Sequence, residues 1–214
     1  MQKVILASGS TRRKEILERL GVEFAVVESG FDESLVTTDD PIELAEELAL
    51  QKVLEVAKKE TDAIVIGGDT VVEVDGEMIG KPGDAADATR MLKLLSGNDH
   101  RVVSGVAVIN SLTGERLIAS DVTYVKFREL STLEIELYVA SKAWKGFAGG
   151  YAIQGRAAPF VLGYKGNLST IIGFPIVMVS DFLEQMGVSI EEDPKELELH
   201  LSEHKTGLEG TGNE

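Results

Sequence analysis

Residues 4–14 have the sequence VILASGSTRRK, and this stretch carries the most information about the fold. Residues 4–7 are apolar and typical of a short buried strand, and residues 8–10 form a tight turn of small side chains. From residue 11 to residue 20, apolar side chains recur at helical spacing. The stretch therefore predicts a strand, a turn and an amphipathic helix in immediate succession.

The first turn of the predicted helix, Thr11-Arg12-Arg13-Lys14, is basic. Three cations there oppose the helix dipole, which favours acidic residues at a helix amino terminus. A bound anion would offset that cost, and a small-residue turn before a helix offers backbone N–H groups to phosphate. The pattern indicates a phosphate-binding turn, and the alternative is a solvated basic turn on a surface helix.

The composition limits the classes of protein to which the chain can belong. Its 214 residues suit one large domain or two small lobes around a cleft. The formal net charge of −15 argues against general binding of nucleic acid or an anionic membrane, although it is compatible with a local basic pocket. The absence of cysteine excludes disulfides, thiolate catalysis and cysteine-ligated zinc.

Acidic residues are concentrated at the carboxyl-terminal end. Residues 188–214 contain eight carboxylates and two lysines, and they predict a short helix near residues 194–201 followed by a mobile polar tail. We therefore expect a single domain over residues 1–187 and an acidic, partly disordered tail over residues 188–214. His200 and His204 lie in that tail, where a solvated face is favoured over a metal site. The sequence has no apolar run of membrane-spanning length and no signal-peptide pattern, so we expect a cytoplasmic protein.

The alternation of periodic segments predicts an α/β protein. Asp75-Gly76 and Thr113-Gly114 predict hairpin turns between strands. Strands alternate with helices early and form long hairpins later, so we expect a mixed, twisted sheet flanked by helices. The strand-like runs are residues 3–7, 23–27, 63–67, 71–74, 77–79, 100–110, 115–127, 150–153 and 160–164, and the helix-like runs are residues 11–20, 41–59, 85–95, 132–141 and 176–186.

Two common nucleotide-binding fingerprints are absent from the sequence. No GxGxxG motif follows a strand-like run. Residues 76–82, GEMIGKP, are one residue short of a Walker phosphate loop and have Pro82 where that loop has Ser or Thr. A Walker ATPase and a Rossmann enzyme are therefore excluded.

A second informative segment is residues 64–72, IVIGGDTVV. Its glycines allow a ligand close to the backbone. A carboxylate between two apolar runs is costly unless it is paired or binds a cation. The segment favours a functional Asp69, and the alternative is an aspartate that caps a turn.

The glycine-rich residues 145–158, KGFAGGYAIQGRAA, predict close backbone approach. Gln154 can read a base edge because its amide has both donor and acceptor groups, although a purely structural bend is the alternative. Lys81, beside Pro82, suits a polyphosphate contact but is also an ordinary surface lysine. Glu33 in a loop and Lys52 on the second helix have ordinary explanations as a solvated acid and a snorkelling lysine.

Together these segments resemble the Maf family of nucleoside triphosphate pyrophosphatases, long labelled septum-formation inhibitors. Their order and spacing match from about residue 3 to about residue 186, and the acidic tail lies outside the match. Each piece alone is common, but the combination is specific. The matching pieces are LASGSTRR at 6–13, GDTV at 68–71, GKP at 80–82, LSG at 95–97, GV at 105–106 and YAIQG at 151–155.

The resemblance implies an elongated, Maf/ITPase-like α/β molecule with two lobes around a cleft, which forms a homodimer. It implies hydrolysis of a nucleoside triphosphate to the monophosphate and pyrophosphate, with a divalent cation, Mg²⁺ or Mn²⁺, as cofactor. Such an enzyme is a hydrolase of acid anhydrides that removes non-standard or excess nucleotides. The expected partner is the nucleotide itself, with no nucleic acid and no membrane.

The resemblance also implies roles for individual residues. Asp69 matches the catalytic proton acceptor, and Glu33 and Asp69 could hold the metal because Mg²⁺ binds carboxylates together with substrate oxygens. The basic residues would neutralise charge on the triphosphate. Arg12, Thr70 and Gln154 match positions linked to substrate choice, and Ser8, Arg13, Glu33, Lys52 and Lys81 match other positions that line the pocket.

The Tyr-x-Ile-Gln-Gly motif resembles the branch of the family that acts on dTTP and UTP, whereas the 7-methyl-GTP branch has a Glu-containing motif there. Two departures from the family pattern are Thr11, where proline is commoner, and residues 165–168, KGNL, where a Gly-Ser-aromatic stretch is usual. An alternative substrate is a modified nucleotide such as 7-methyl-GTP or ITP. An alternative of another class is a non-catalytic nucleotide-binding regulator of cell division.

Overall fold

A computed structural model describes residues 2–206 of the chain. The strands are β1 (Lys3–Leu6), β2 (Phe24–Val26), β3 (Ala63–Val74), β4 (Glu77–Ile79), β5 (Asp99–Asn110), β6 (Arg116–Phe127) and β7 (Val161–Lys165). The α-helices are α1 (Thr11–Arg19), α2 (Pro41–Ala57), α3 (Ala85–Leu95), α4 (Thr132–Ala140), α5 (Leu168–Ile172), α6 (Ile176–Gln185) and α7 (Pro194–Thr206).

The seven strands form one mixed sheet. Their order is β2-β1-β3-β5-β6-β7, and β4 pairs with the far end of β3. β2, β1 and β3 are parallel, while β4, β5, β6 and β7 pair antiparallel with their neighbours. The predicted mixed α/β fold is confirmed. From β1 the chain crosses to β2 on one side of β1, and from β2 it crosses back to β3 on the other side. The strand order therefore reverses at β1, and ligands bind at such a reversal in open α/β sheets.

Helices cover both faces of the sheet. On one face, Leu17 of α1 packs with Leu6 and Ile66 in the main core, to which α3, α4, α5, α6 and α7 also contribute. On the other face, Val53 of α2 packs with Ile5 in a second core. Ile5 and Leu6 serve opposite cores because successive side chains of a strand point to opposite faces. This arrangement leaves the carboxyl edge of β1, β2 and β3 open between α1 and α2.

α2 approaches the sheet closely at Gly105. A Cβ atom on Gly105 would lie 2.3 Å from the carbonyl oxygen of Ala45 and 2.8 Å from the backbone nitrogen of Glu46. No side chain fits between these backbones, so glycine is required at this crossing. Lys52 lies two turns after Ala45, and the crossing therefore sets how near Lys52 comes to β3.

The sequence prediction of two strands around Asp69 is wrong. β3 continues through this region without a break, and its pairing with β5 runs regularly from Gly67 opposite Ala107 to Thr70 opposite Ser104. The two glycines suggested an interruption because glycine weakens strands. Here they accommodate close neighbours instead, since a Cβ on Gly67 would lie 2.8 Å from a methyl group of Val53.

Two other parts of the chain differ from the sequence prediction. Residues 150–153 are not a strand, because Gly149 and Gly150 have positive φ angles of 67° and 71°. A positive φ is incompatible with an extended strand. Helix α5 was not predicted, because its five residues are too few to display a helical repeat.

The carboxyl-terminal helix predicted near residues 194–201 is present as α7 and extends to Thr206. Leu201 of α7 is buried in the main core. The predicted mobile end from residue 207 and the side chain of His204 lie outside the described residues, and the division at residue 187 stays a prediction. Within residues 2–206, none of the helices is long and apolar enough to cross a bilayer.

A buried aromatic cluster lies beneath the glycine-rich segment. His100 is 2% exposed, and its Nε2 shares a 2.6 Å hydrogen bond with the Tyr151 hydroxyl group. The His100 ring also contacts Phe127 edge-on, with 5.0 Å between the ring centroids. Burial lowers the pKa of His100 to about 4, and the nearby charge of Asp99 opposes this shift only weakly. His100 is therefore a neutral core residue at physiological pH.

This buried histidine makes the stability depend on pH. The unfolded chain binds a proton at His100 near the ordinary pKa of 6.5, whereas the folded chain does so only near pH 4. Falling pH therefore favours unfolding, and we expect His100 to remove about 3 kcal/mol from the free energy of unfolding between those two pH values. Urea unfolding at several pH values would measure the loss. His100→Phe is the control, and an identical pH slope in that variant would contradict the assignment to His100.

Candidate active site

The carboxyl ends of β1 and β2 and the middle of β3 border a cleft of about 520 Å³. β1 leads into the turn at residues 8–10, β2 leads into residues 28–33, and β3 extends past its pairing with β1 to reach Asp69. β1 and β2 end at the same edge of the sheet and β3 passes beside that edge, which brings these distant segments together. Most of the predicted site residues line this cleft: Ser8, Arg12, Arg13, Glu33, Lys52, Asp69 and Lys81.

The turn before α1 is organised by its serines. The Ser10 side chain caps α1 by accepting from the backbone N–H of Arg13 at 3.5 Å, and the Ser8 hydroxyl oxygen accepts from the N–H of Ser10 at 3.2 Å. The first-turn N–H groups of a helix lack partners within the helix. The first turn of α1 contains no acidic residue to neutralise them. This end of the cleft therefore favours an anionic ligand.

Arg13 is anchored by three hydrogen bonds from its guanidinium group. Nε donates to the carbonyl oxygen of Gly173 at 3.0 Å, Nη1 donates to Ser8 Oγ at 3.1 Å, and Nη2 donates to Thr70 Oγ1 at 3.3 Å. Burial lowers the pKa of Arg13 from its usual value, while the charges of Asp69 and Glu33 oppose that shift. The three contacts orient the guanidinium fork in a way that a lysine could not match.

Gly173 supplies one of these contacts from a conformation that favours glycine. It ends α5 with a φ of 107°, in the left-handed region. A Cβ there would lie 2.9 Å from Thr70 Oγ1, which is itself a partner of Arg13. The short helix α5 thus places a backbone carbonyl against the basic turn.

Arg12 lies against an aromatic ring instead. The centre of its guanidinium group is 4.6 Å from the ring centroid of Phe147, a cation–π contact. Burial and the neighbouring charge of Arg13 lower the pKa of Arg12 to about 10. Two cations of α1 therefore lie side by side at the cleft, which is the arrangement expected for an anion-binding site.

Lys52 bridges two carboxylates across the cleft. Its Nζ donates to Asp69 Oδ1 at 2.6 Å and lies 2.6 Å from Glu33 Oε1. The side chains of Lys52 and Asp69 are each 12% exposed, whereas that of Glu33 is 51% exposed. Partial burial would raise the pKa of Glu33, but the hydrogen bond and charge of Lys52, with Lys81 and Arg13, lower it below its usual value. Glu33 is therefore a carboxylate at neutral pH.

The donor set fits a divalent cation that the substrate helps to hold. Glu33 and Asp69 each place one carboxylate oxygen 2.6 Å from the same Lys52 nitrogen, so the two groups converge. Mg²⁺ in proteins uses one or two carboxylates together with substrate phosphates. Within the part of the chain that the structure describes, no three His, Asp or Glu side chains form a metal-binding group. The residues suit a shared metal site rather than a cage made by protein alone.

Thr70 and Gln154 lie outside the lining of the cleft. Thr70 lies behind Arg13, and its Oγ1 is 3.0 Å from Ser104 Oγ. Gln154 lines a neighbouring cavity of about 250 Å³. Arg12 and Ile172 line both this cavity and the cleft. The structure thus brings Gln154 near Arg12 but separates it from Asp69 and Lys52.

Several cleft residues were missed by the sequence analysis. Glu28 lies close to Gly9, because a Cβ atom on Gly9 would be 2.4 Å from a carboxylate oxygen of Glu28. Its position after the second strand-like run, parallel to β1, is a signal that could have placed it at this edge. Lys145 and Phe147 also line the cleft, and no local sequence pattern distinguishes them from their neighbours. Their segment is joined to the loop of Lys81, because the backbone N–H of Gly149 donates to the carbonyl of Gly80 at 2.9 Å.

Comparisons with known proteins identify relatives of similar sequence. The chain is 40% identical to a dTTP/UTP pyrophosphatase of Pelotomaculum thermopropionicum over 190 residues. The matched region covers 89% of this chain and all of the relative. It is 43% identical over 190 residues to a protein of the same name from Symbiobacterium thermophilum, covering 89% and 97% of the two chains. It is 45% identical over 177 residues to another from Alkaliphilus oremlandii, covering 82% and 92%.

The sequence profile described as Maf-like protein matches residues 3–186. This range contains the basic turn of α1, the Lys52 bridge and the glycine-rich segment. It ends before α7. With this match over most of its length, the chain belongs to the Maf family.

Proposed function

We propose that the protein hydrolyses dTTP and UTP to the nucleoside monophosphate and pyrophosphate. The observation that carries the proposal is one cleft that combines the carboxylates of Glu33 and Asp69 with the cations Arg12, Arg13, Lys52 and Lys81. A triphosphate needs several cations, and water attacking phosphorus needs a proton acceptor. The related proteins named dTTP/UTP pyrophosphatase supply the choice of nucleotide.

In the proposed reaction, Arg12, Arg13 and Lys81 bind the triphosphate oxygens. Asp69 accepts a proton from a water molecule whose oxygen forms a bond to the α phosphorus. The bond between that phosphorus and the α–β bridging oxygen breaks, and its electron pair leaves with pyrophosphate. The cations stabilise the charge that accumulates on the leaving group, an electrostatic effect typically worth about 3 kcal/mol for one such contact.

A divalent cation, Mg²⁺ or Mn²⁺, is part of this proposal. Glu33 and Asp69 would hold it, and when bound it would neutralise negative charge on the phosphate oxygens. Lys52 keeps these two carboxylates together, with Nζ 2.6 Å from an oxygen of each. The same interactions hold Asp69 in a fixed orientation towards the cleft.

We also propose that the protein acts in the cytoplasm as a homodimer and removes non-standard or excess nucleotides. The family resemblance supports the dimer. Sedimentation equilibrium of the purified protein would test it, because a monomer mass of 23.1 kDa at micromolar concentration would contradict it.

The test of the proposed function is a nucleotide panel. The protein is incubated with Mg²⁺ or Mn²⁺ and, separately, with dTTP, UTP, CTP, GTP, ATP, ITP and 7-methyl-GTP, and pyrophosphate and monophosphate are measured. Preferential formation of pyrophosphate with dTMP and UMP is the expected result. Activity mainly on another nucleotide would retain the chemistry and overturn the substrate assignment. Tight binding without pyrophosphate release would support a regulator instead.

Gln154→Ala is expected to reduce base selectivity rather than turnover. Gln154 lines the cavity next to Arg12 and lies outside the cleft that holds Asp69. Removing its amide should lower the preference for dTTP over CTP about tenfold, because one lost hydrogen-bond pair is worth about 1 kcal/mol or more. The ratio of kcat/KM values measures the effect. Arg156→Ala, a change at a nearby exposed residue, is the control, and unchanged selectivity in Gln154→Ala would argue against base recognition by this residue.

A further inference from the structure

α7 packs onto the body of the protein although it lies beyond the residues that match the family. The family match ends at residue 186, and α7 begins at Pro194. Leu201 is 7% exposed and belongs to the main core. The chain before α7 is also attached, because the backbone N–H of Glu191 donates to the carbonyl of Leu20 at 3.2 Å. α7 is therefore packed against the family domain, as an added wall beside it, and is not a separate unit.

This added wall borders the cavity that contains Gln154. The cavity, of about 250 Å³, is lined on one side by α1, on another by Gln154 and Ile172, and on the outside by His200 and Leu201 of α7. Polar groups that can read a base and apolar groups that can pack on its ring therefore occur together. A few oriented polar groups within an apolar wall are typical of small-molecule sites.

The cavity adjoins the cleft directly. Arg12 and Ile172 line both spaces. A nucleoside triphosphate whose phosphates contact Arg13 and Lys81 would therefore direct its sugar and base past Arg12 towards Gln154. In that orientation the base approaches α7.

A second contact connects α7 to the cleft. Glu198 Oε1 accepts from the backbone N–H of Ser169 at 3.1 Å, at the beginning of α5. α5 ends at Gly173, whose carbonyl oxygen anchors Arg13. The position of α7 is thus coupled through α5 to the arginine that we assign to phosphate binding.

We propose that α7 forms the outer wall of the nucleobase end of the substrate site and that His200 is a specificity-determining residue on it. This inference rests on the proposed function, because it takes a nucleoside triphosphate as the ligand. The wall limits the size of the base that the cavity accepts. Selectivity at this end of the site is then set partly by a helix outside the family match.

The test changes the size of one exposed side chain on this wall. His200→Ala should widen the cavity and raise kcat/KM for GTP relative to dTTP about tenfold. His200→Trp should narrow it and raise the KM for dTTP about tenfold, with kcat within about twofold of the unchanged protein, because ground-state and transition-state binding weaken equally. Leu199→Ala, at a residue of the same helix that is 58% exposed and outside the cavity lining, is the matched control.

Calorimetric binding of dTTP and GTP to the same full-length proteins separates this inference from the proposed function. The unchanged protein could bind the nucleotides without hydrolysing them, and the hydrolase proposal alone would then fail. A shift in binding preference in the His200 variants would still support the inference that α7 borders the nucleobase. If both His200 variants keep the binding and kinetic preferences of the unchanged protein, the inference about α7 is overturned. Absence of both binding and hydrolysis in the unchanged protein would overturn both proposals.

Discussion

Asp69→Asn is expected to lower kcat for dTTP about 10³-fold or more while the protein stays folded. The asparagine amide has the shape of the carboxylate, and its oxygen can still accept the hydrogen bond that Lys52 donates at 2.6 Å. It cannot accept a proton from water, and it contributes no negative charge to a metal site. The loss should therefore appear in the chemical step, with folding affected much less.

Single-turnover measurement of pyrophosphate release, with calorimetric dTTP binding and a thermal unfolding curve, would test this expectation. Glu73→Gln is the matched control, because Glu73 lies on the same strand, four residues further on, and pairs with Arg101 instead of lining the cleft. Turnover by Asp69→Asn within tenfold of the unchanged protein would remove Asp69 as the proton acceptor.

Lys52→Met is expected to lower kcat/KM for dTTP about 10²-fold. Methionine has a similar length and no charge, so the side chain can stay in a site where that of Lys52 is 12% exposed. The carboxylates of Asp69 and Glu33 would then face each other without the ammonium group between them. Repulsion should displace Glu33, because its side chain is the more exposed of the two.

The pH dependence distinguishes this explanation from a general loss of structure. The hydrogen bond and charge of Lys52 lower the pKa of Glu33, so Glu33 stays ionised to a lower pH in the unchanged protein. Without Lys52 the pKa of Glu33 should rise, and the acid limb of the pH–rate profile should move to higher pH. Lys59→Met is the control, since Lys59 forms an exposed pair with Glu55, and such surface pairs contribute little. An unshifted acid limb, or faster turnover, would contradict the proposed role of Lys52.

Much of the fold could be predicted from the sequence because its signals are local. Helix α3 has the predicted bounds, and α4 begins at Thr132 as predicted, with a capping box formed by Ser131 and Glu134. Asp75-Gly76 forms the predicted hairpin between β3 and β4, with φ angles of 52° and 80°. One exception is the region around Asp69, where tertiary packing against α2 overrides the weak strand propensity of two glycines.

The candidate site was predicted less completely than the fold. The basic turn of α1, with Arg12 and Arg13, was identified because three cations at a helix amino terminus are unusual. Lys52 and Glu33, by contrast, each have an ordinary local explanation, and only the family resemblance indicated them. Phe147 lies in the glycine-rich residues 145–158, but its ring, which contacts the Arg12 guanidinium, was not identified as part of the site.

The sequence by itself determined the types of the main elements, the mixed α/β class and the concentration of charge at the turn before α1. Only the tertiary structure decided that Lys52 joins Asp69 to Glu33, that Phe147 lies against Arg12, and that α7 contributes to the lining of the cavity beside Gln154. The physical reason is the range of the interactions. Helical periodicity, caps and turns act over a few residues, whereas these contacts depend on the order of strands in the sheet and on helices packed against it.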